Sequence, residues 1–399
     1  MNKTIPVALS AALAATLLVA CQNQANPNQP ANTPTQPAGL QAIKAIPVGA
    51  APHGMWAAEG FIYNSSTGAG KLVVIDTRTD TVVKEIPFPD GKPGYVKAFH
   101  DGKHVMVTDT AKGQLLVIDP AKDHQVLQTI ALGAGPDKIA VDHDDNKTVF
   151  VTLTGEPKVI QLTFDADRSK PPVRKDFAVG TVAGEGTKHR AIAYDHGRLV
   201  TPNSGENNVS LIDVATGKID TVSDGNNPGP VAIGTVLGAA KFALVGNAAS
   251  NTLTIYDMIE GGKTTLSDAG LSPTDIAYDE ESRLAYVTMA GSNEVAVVDF
   301  TGKRVAKKIP VGNRPVHIYA APDLPPAQYG VLHGSGSHQF FVGNDSGDTV
   351  TVIDGNTVSA VATVAVGKGH HKMAFWGTKA YISNISDGTV SVIDRTPIK

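Results

Sequence analysis

The chain has 399 residues, 42% hydrophobic, 18% charged and 6% aromatic, with 40 Gly, 25 Pro, one Cys and a formal net charge of −4. A mildly acidic chain without a Lys/Arg run is a poor duplex-DNA binder, because phosphate contacts supply most of that affinity. A single Cys excludes a disulfide framework, a four-Cys zinc site and Cys-ligated clusters within the chain. Few charges and many glycines suit short strands joined by tight turns, and a length near 400 implies several domains or one repeat architecture.

Residues 1–20 form an export signal: Lys3, then an apolar Ala-rich stretch from Ile5 to Val19, too short for a membrane span of about 20 strongly apolar residues. It ends in Leu18-Val19-Ala20-Cys21, and this motif resembles the lipobox of bacterial lipoproteins. The resemblance implies that Cys21 is acylated and becomes the N-terminus. Gln22, rather than Asp, follows it, which implies the outer membrane, periplasmic or surface-facing. Residues 21–39 hold this Cys and a stretch of Asn, Gln, Pro and Ala without charge, aromatic or branched aliphatic side chains. Such a segment cannot offset its ordering entropy by burial and is expected to be a disordered tether.

From residue 40 to 399 one unit repeats. A branched aliphatic run ending in Asp recurs at Asp76, Asp119, Asp213, Asp257, Asp299, Asp354 and Asp394, with a degraded copy, VIQLTFD, ending at Asp165. Each run follows a turn such as NSGENN or NISDG, preceded by a second short strand such as AYVT (285–288). A Gly-then-Pro turn (VGAAP, LGAGP, VGNRP) leads into the first strand, and a fourth, such as TVVKEI (81–86), follows the Asp. Four strands per unit of roughly 45 residues is the pattern of a propeller blade. The expectation is an all-β, eight-bladed β-propeller of four-stranded antiparallel blades, or a seven-bladed one if blade three or seven is incomplete. LQAIKAI (40–46) fits a fourth strand and would close the last blade, leaving no open edge. The terminal Asp residues are read as turn formers that accept from backbone N–H groups.

The unit resembles the YVTN family of β-propeller repeats, most closely in YVTMAGSNEVAVVDFTGKRVAKKIPVGNRP (286–315) and YISNISDGTVSVID (381–394). The resemblance implies the fold over about 350 residues and leaves function open.

Candidate function therefore rests on residues that break the repeat. Inner strands line the channel, and their first residues converge on one mouth. At this level stand His53, His189, His317, His370 and His371, with Asp137 and Asp275, and with Lys138, Arg190 and Lys372 among them. Neutral imidazole suits Zn or Cu, so a divalent transition metal is the expected ligand. The cationic neighbours weaken a metal site and could favour an anion instead. Blade seven carries an insertion (321–338) in which His333 and His338 stand i, i+5, a second candidate loop. The blade-three insertion DADRSKPPVRKD (165–176) reads as a solvated basic loop. His100, His104, His143 and His196 lie on or beside the hairpins between first and second strands, where FHDGKH and DHDDN read as turn chemistry.

No GxSxG, phosphate loop, HExxH, CxxCH or Cys nucleophile occurs in the mature body, so the expectation is a non-enzymatic protein. Eight-bladed haem d1 domains resemble this class of repeat, but axial ligands cannot be read from it. KPGYVKAFHDGKHVMVTD (92–109) resembles segments of periplasmic zinc-chaperone propellers, whose His-rich N-terminal tract is replaced here by QNQANPNQP. That resemblance implies a metal transporter or another envelope protein as partner of a monomer. The alternatives are a protein-interaction scaffold or adhesin using the loop faces, and single-stranded DNA binding, which two Trp and an acidic charge disfavour.

Overall fold

The computed structural model describes residues 40–181, 191–322 and 339–396. Cys21, His189, Arg190, His333 and His338 lie outside the described residues.

Strands form eight separate four-stranded antiparallel sheets. In chain order the blades span 52–87, 93–131, 136–178, 193–223, 228–266, 273–310 and 315–365, with an eighth at 370–394. The strand Ala42–Pro47 pairs antiparallel with Thr389–Asp394, so the eighth sheet draws its outer strand from the other end of the repeat region. The protein is an eight-bladed β-propeller.

The third strand of each blade is a continuous apolar run because both of its faces are covered by neighbouring blades. Lys71–Asp76 is buried at its four central residues, whereas the outer strand Thr81–Pro87 alternates between exposed and covered positions. The core accordingly lies between blades: Tyr63, Leu72 and Val74 of blade one pack with Val96, Val105 and Val107 of blade two.

Each terminal Asp holds the turn that follows it. Asp76 accepts from the Arg78 N–H at 2.7 Å, Asp119 from Ala121 at 2.9 Å and Asp354 from Asn356 at 2.7 Å. Even the degraded copy keeps the device, Asp165 accepting from Asp167 at 2.9 Å. A second device closes the hairpin between second and third strands: the Asn384 amide donates to Thr389 and Ser391 at 3.0 and 2.9 Å, as Asn344 does to Thr349 and Thr351. The Gly of the VGxxP turns has two reasons to be Gly. Gly49 has φ +99°, while a Cβ on Gly312 would stand 2.6 Å from the Asn344 amide.

The blade-three insertion is exposed along most of its length, as expected of a solvated loop, with one exception. Arg168 is buried over the Phe99 ring, 4.3 Å from its centroid, and donates to the backbone carbonyls of Asp165 and Asn146. From Val173 the segment is the outer strand Val173–Ala178. The guanidinium joins the backbone carbonyls of two separate turns, which composition does not reveal.

The channel mouth depends on one repeated irregularity. Pairing shifts register just after the first residue of seven inner strands, as between Pro52 and Met55, Pro136 and Ile139, Pro273 and Asp275, and His370 and Met373. Such bulges re-aim the side chains beside them, so residues next to the VGxxP turn leave the blade packing and face the channel.

Candidate functional site

At this mouth the bulges bring four of the expected residues into a row. The Asp275 carboxylate lies 3.1 Å from Nδ1 of His317, and Nε2 of His317 lies 3.0 Å from Nδ1 of His371. The His371 ring in turn lies against His53, centroid to centroid 4.3 Å. Burial first, then the Lys372 ammonium, pushes His317 down to about 4 despite Asp275. Burial also drives His371 well below its ordinary range, helped by His317, His53, Lys372 and Lys138. Burial would raise the Asp275 carboxyl, but the His317 hydrogen bond and the Lys372 charge hold it below the usual carboxylate range. The row is therefore an anion followed by neutral rings, and both nitrogens of His317 already have partners.

Ammonium groups surround the row. Lys138 lies 4.8 Å and Lys372 5.7 Å from the Tyr95 ring centroid, and Lys372 is 5.4 Å from that of Tyr319. Lys97 sits over Trp56 at 3.7 Å. Burial pushes both Lys97 and Lys372 down to about 7, the Lys138 charge adding to it at Lys372.

Two expected ligands stand apart. His370 is buried against the neighbouring blade, where a Cβ on Gly343 would come within 2.4 Å of its ring, so its side chain fills the seam between blades. Asp137 is buried beside Lys138, while its carbonyl accepts from Thr108 at 3.3 Å. Among the described residues, the mouth does not gather three ligand atoms within 4.8 Å of one another.

Such a group occurs at the other end of the inner strands. His143, Asp195 and His196 place one ligand atom each within 4.8 Å of one another, the one such set among the described residues. Asp195 Oδ1 is 2.7 Å from His196 Nδ1 and 3.6 Å from His143 Nε2. His100 continues the line, its ring 6.1 Å from that of His143. These residues follow the inner strands of blades two, three and four, ending at Ala98, Val141 and Asp195. The carboxylate is itself held in place: Thr235 donates to Asp195 Oδ2, and Tyr278 donates to the Thr235 carbonyl at 3.2 Å. The Asn146 side chain accepts from the His100 N–H at 2.6 Å, and Arg168 holds the Asn146 carbonyl. Burial opposes protonation of His196, but the Asp195 carboxylate outweighs it and raises the imidazole. Asp144 adds a further carboxylate, 3.4 Å from His143 Nε2.

In sequence these histidines read as turn chemistry. The available signal was positional: His100 and His143 stand equally far beyond Pro93 and Pro136, and His196 occupies the matching turn.

The class is thus a β-propeller whose channel is rimmed by lysines at one end and by imidazoles with carboxylates at the other. No protein-family model and no curated protein sequence matches the chain. Solved β-propellers do match it in structure. Sqt1 of Saccharomyces cerevisiae aligns with TM-score 0.71 at 10% identity, covering 89% of this chain and 98% of that one. NirN, a dihydro-heme d1 dehydrogenase solved in complex with DHE, gives 0.62 at 14% identity over 85% and 69%. Virginiamycin B lyase from Staphylococcus aureus gives 0.56 at 13% identity over 88% and 98%. Enzymes and non-enzymes stand among these neighbours, so the likeness establishes the fold.

Proposed function

We propose that the protein is a non-enzymatic binding propeller of the cell envelope that holds a divalent transition metal, Zn or Cu, at His143, Asp195 and His196. The observation that carries this reading is the convergence of the three ligand atoms within 4.8 Å. Separations of 2.7 and 3.6 Å suit atoms that share one ion at about 2.0–2.2 Å each. Two imidazoles and a carboxylate leave a position for water, for His100 or for a donor supplied by a partner. The local field also favours a cation here, with Asp144 beside the set, whereas lysines crowd the mouth where the sequence placed the metal. Cys21 is read as the acylated anchor and residues 22–39 as the tether, on the lipobox resemblance; a metal transporter or another envelope protein would then be the partner.

The test is zinc and copper titration of the full chain in detergent, alongside metal content after purification. One equivalent is expected, weakened at least 100-fold in the double variant His143→Ala/His196→Ala and kept in His53→Ala/His371→Ala. No binding under micromolar competition, or equal binding by the first variant, would overturn the reading. Loss only in the second variant would return the metal to the lysine-rimmed mouth. Palmitate labelling abolished by Cys21→Ser checks the anchor separately.

A further inference from the structure

We propose that the lysine-rimmed mouth is a second binding site, for a small oxyanion that carries its own hydroxyl, such as hydrogen phosphate or a hydroxycarboxylate. The ammonium groups of Lys138 and Lys372 share the Tyr95 ring at this mouth, Lys97 stands farther along the channel toward Ala98, and none has a counter-charge within ion-pair distance among the described residues. Among the described residues the side-chain ammonium groups of Lys97, Lys138 and Lys372 make neither a salt bridge nor a hydrogen bond, and their contacts are the ring faces of Trp56, Tyr95 and Tyr319. Lys372 is only 8% exposed, a placement that is costly for an unpaired charge. Burial pushes it down to about 7, so the amine is poised to gain its proton when an anion arrives. The carboxylates of this level do not occupy the lysines: Asp275 is bound to His317 and to the Ile318 N–H, and Asp137 makes its own contacts.

Two orphan polar atoms define the rest of the ligand. The Tyr319 hydroxyl is buried with no hydrogen-bond partner among the described residues, and so is Nε2 of His371. The hydroxyl can donate to an oxyanion. The nitrogen needs the opposite. With the Nδ1 proton of His317 on Asp275, Nε2 of His317 accepts from Nδ1–H of His371, which leaves Nε2 of His371 as a lone pair. A fully deprotonated anion would repel that lone pair, whereas a hydroxyl on the ligand would satisfy it. Two cations and a phenol for the oxyanion, with one acceptor for its hydroxyl, distinguish hydrogen phosphate or a hydroxycarboxylate from sulfate. The site lies at the opposite end of the inner strands from the proposed metal and does not depend on it.

The test uses the full chain in detergent at pH 7, with inorganic phosphate, citrate and sulfate as probes. Binding is followed by calorimetry and by the fluorescence of Trp56, which lies under Lys97. Phosphate or citrate should saturate, whichever binds better naming the source, and sulfate should bind at least tenfold more weakly. Lys138→Met and Lys372→Met should each weaken the better ligand at least tenfold. Lys372→Met should not lower the melting temperature, since it removes a buried charge. If that variant fails to fold, the half-exposed Lys138→Met still decides. No saturation by phosphate or citrate to about 10 mM, unchanged binding in Lys138→Met, or sulfate binding as tightly as either would each overturn the proposal.

Discussion

His317 and His371 share one hydrogen bond of 3.0 Å, so between Nε2 of the first and Nδ1 of the second there is room for a single proton. Asp275 fixes which ring supplies it by accepting from the other side of His317. The pair is thus held neutral and oriented by one buried carboxylate, and a proton added to Nε2 of His317 breaks the row.

That arrangement sets an acid limit on stability. The folded protein holds His317 at about 4 against an ordinary 6.5, so between those values the unfolded chain binds more protons. Stability therefore falls as pH drops from 6.5 to 4 and levels off for this group below 4. His317→Gln should flatten the loss by about 3 kcal/mol, from 1.36 kcal/mol per pKa unit. Urea denaturation at pH 7 and pH 4.5 checks it; an unchanged acid slope in the variant would show that other groups govern the window.

Arg168 joins the blade-three insertion to the imidazole end of the channel through Asn146, which accepts from the His100 N–H. Arg168→Ala removes the charged donor of two partly covered carbonyls and the cation over the Phe99 ring, and should cost about 1.5–3 kcal/mol. It should also weaken zinc about tenfold, the lower range for groups that orient ligands without touching the metal. Equal zinc affinity in wild type and variant would confine Arg168 to a folding role.

Asp80 ties blade eight to blade one. Its carboxylate accepts from Lys379 at 2.7 Å and from the Tyr381 hydroxyl at 2.6 Å, and Lys379 also donates to the Thr77 carbonyl at 2.9 Å. Asp80→Ala leaves a buried phenol and a partly covered ammonium with only the Thr77 carbonyl between them, with an expected loss of about 2–4 kcal/mol. Thermal melts of Asp80→Ala, Tyr381→Phe and the pair should show less than additive losses. Strict additivity would mean that the contact contributes little across this seam.

His370 and Gly343 make a packing pair. Gly343→Ala should destabilise the protein by about 1–3 kcal/mol through overpacking, because the new methyl meets the His370 ring at 2.4 Å. His370→Ala should restore part of that loss in the double variant while leaving zinc binding intact. If His370→Ala alone abolishes zinc binding, the side chain has a role beyond packing.

The fold was legible because the propeller writes its rules locally. An aliphatic run ending in Asp encodes a doubly covered strand and the turn beyond it, and the Asn of YISN encodes a hairpin clasp at Asn384. The site was legible only in level. Adjacent residues such as His370 and His371 look equivalent in sequence, yet the bulge between His370 and Met373 sends one into the blade interface and the other into the channel. The far group was hidden for a different reason: a His in DHDDN can shape a turn and also present a ligand, and only the neighbouring blade shows that it does both. Arg168 shows the same limit, since a basic proline-rich run gives no hint of which cation finds carbonyls to bind.

The register shift at the start of seven inner strands separates two kinds of heritable change. A substitution in the aliphatic runs is felt by two blades at once, whereas one beside a shift alters the channel and little else. Duplicated blades can then remain nearly identical in their walls while each contributes a different side chain to the rim. An eightfold scaffold thereby acquires a one-sided chemistry, and a new ligand can be accommodated by changing two or three codons without rebuilding the ring.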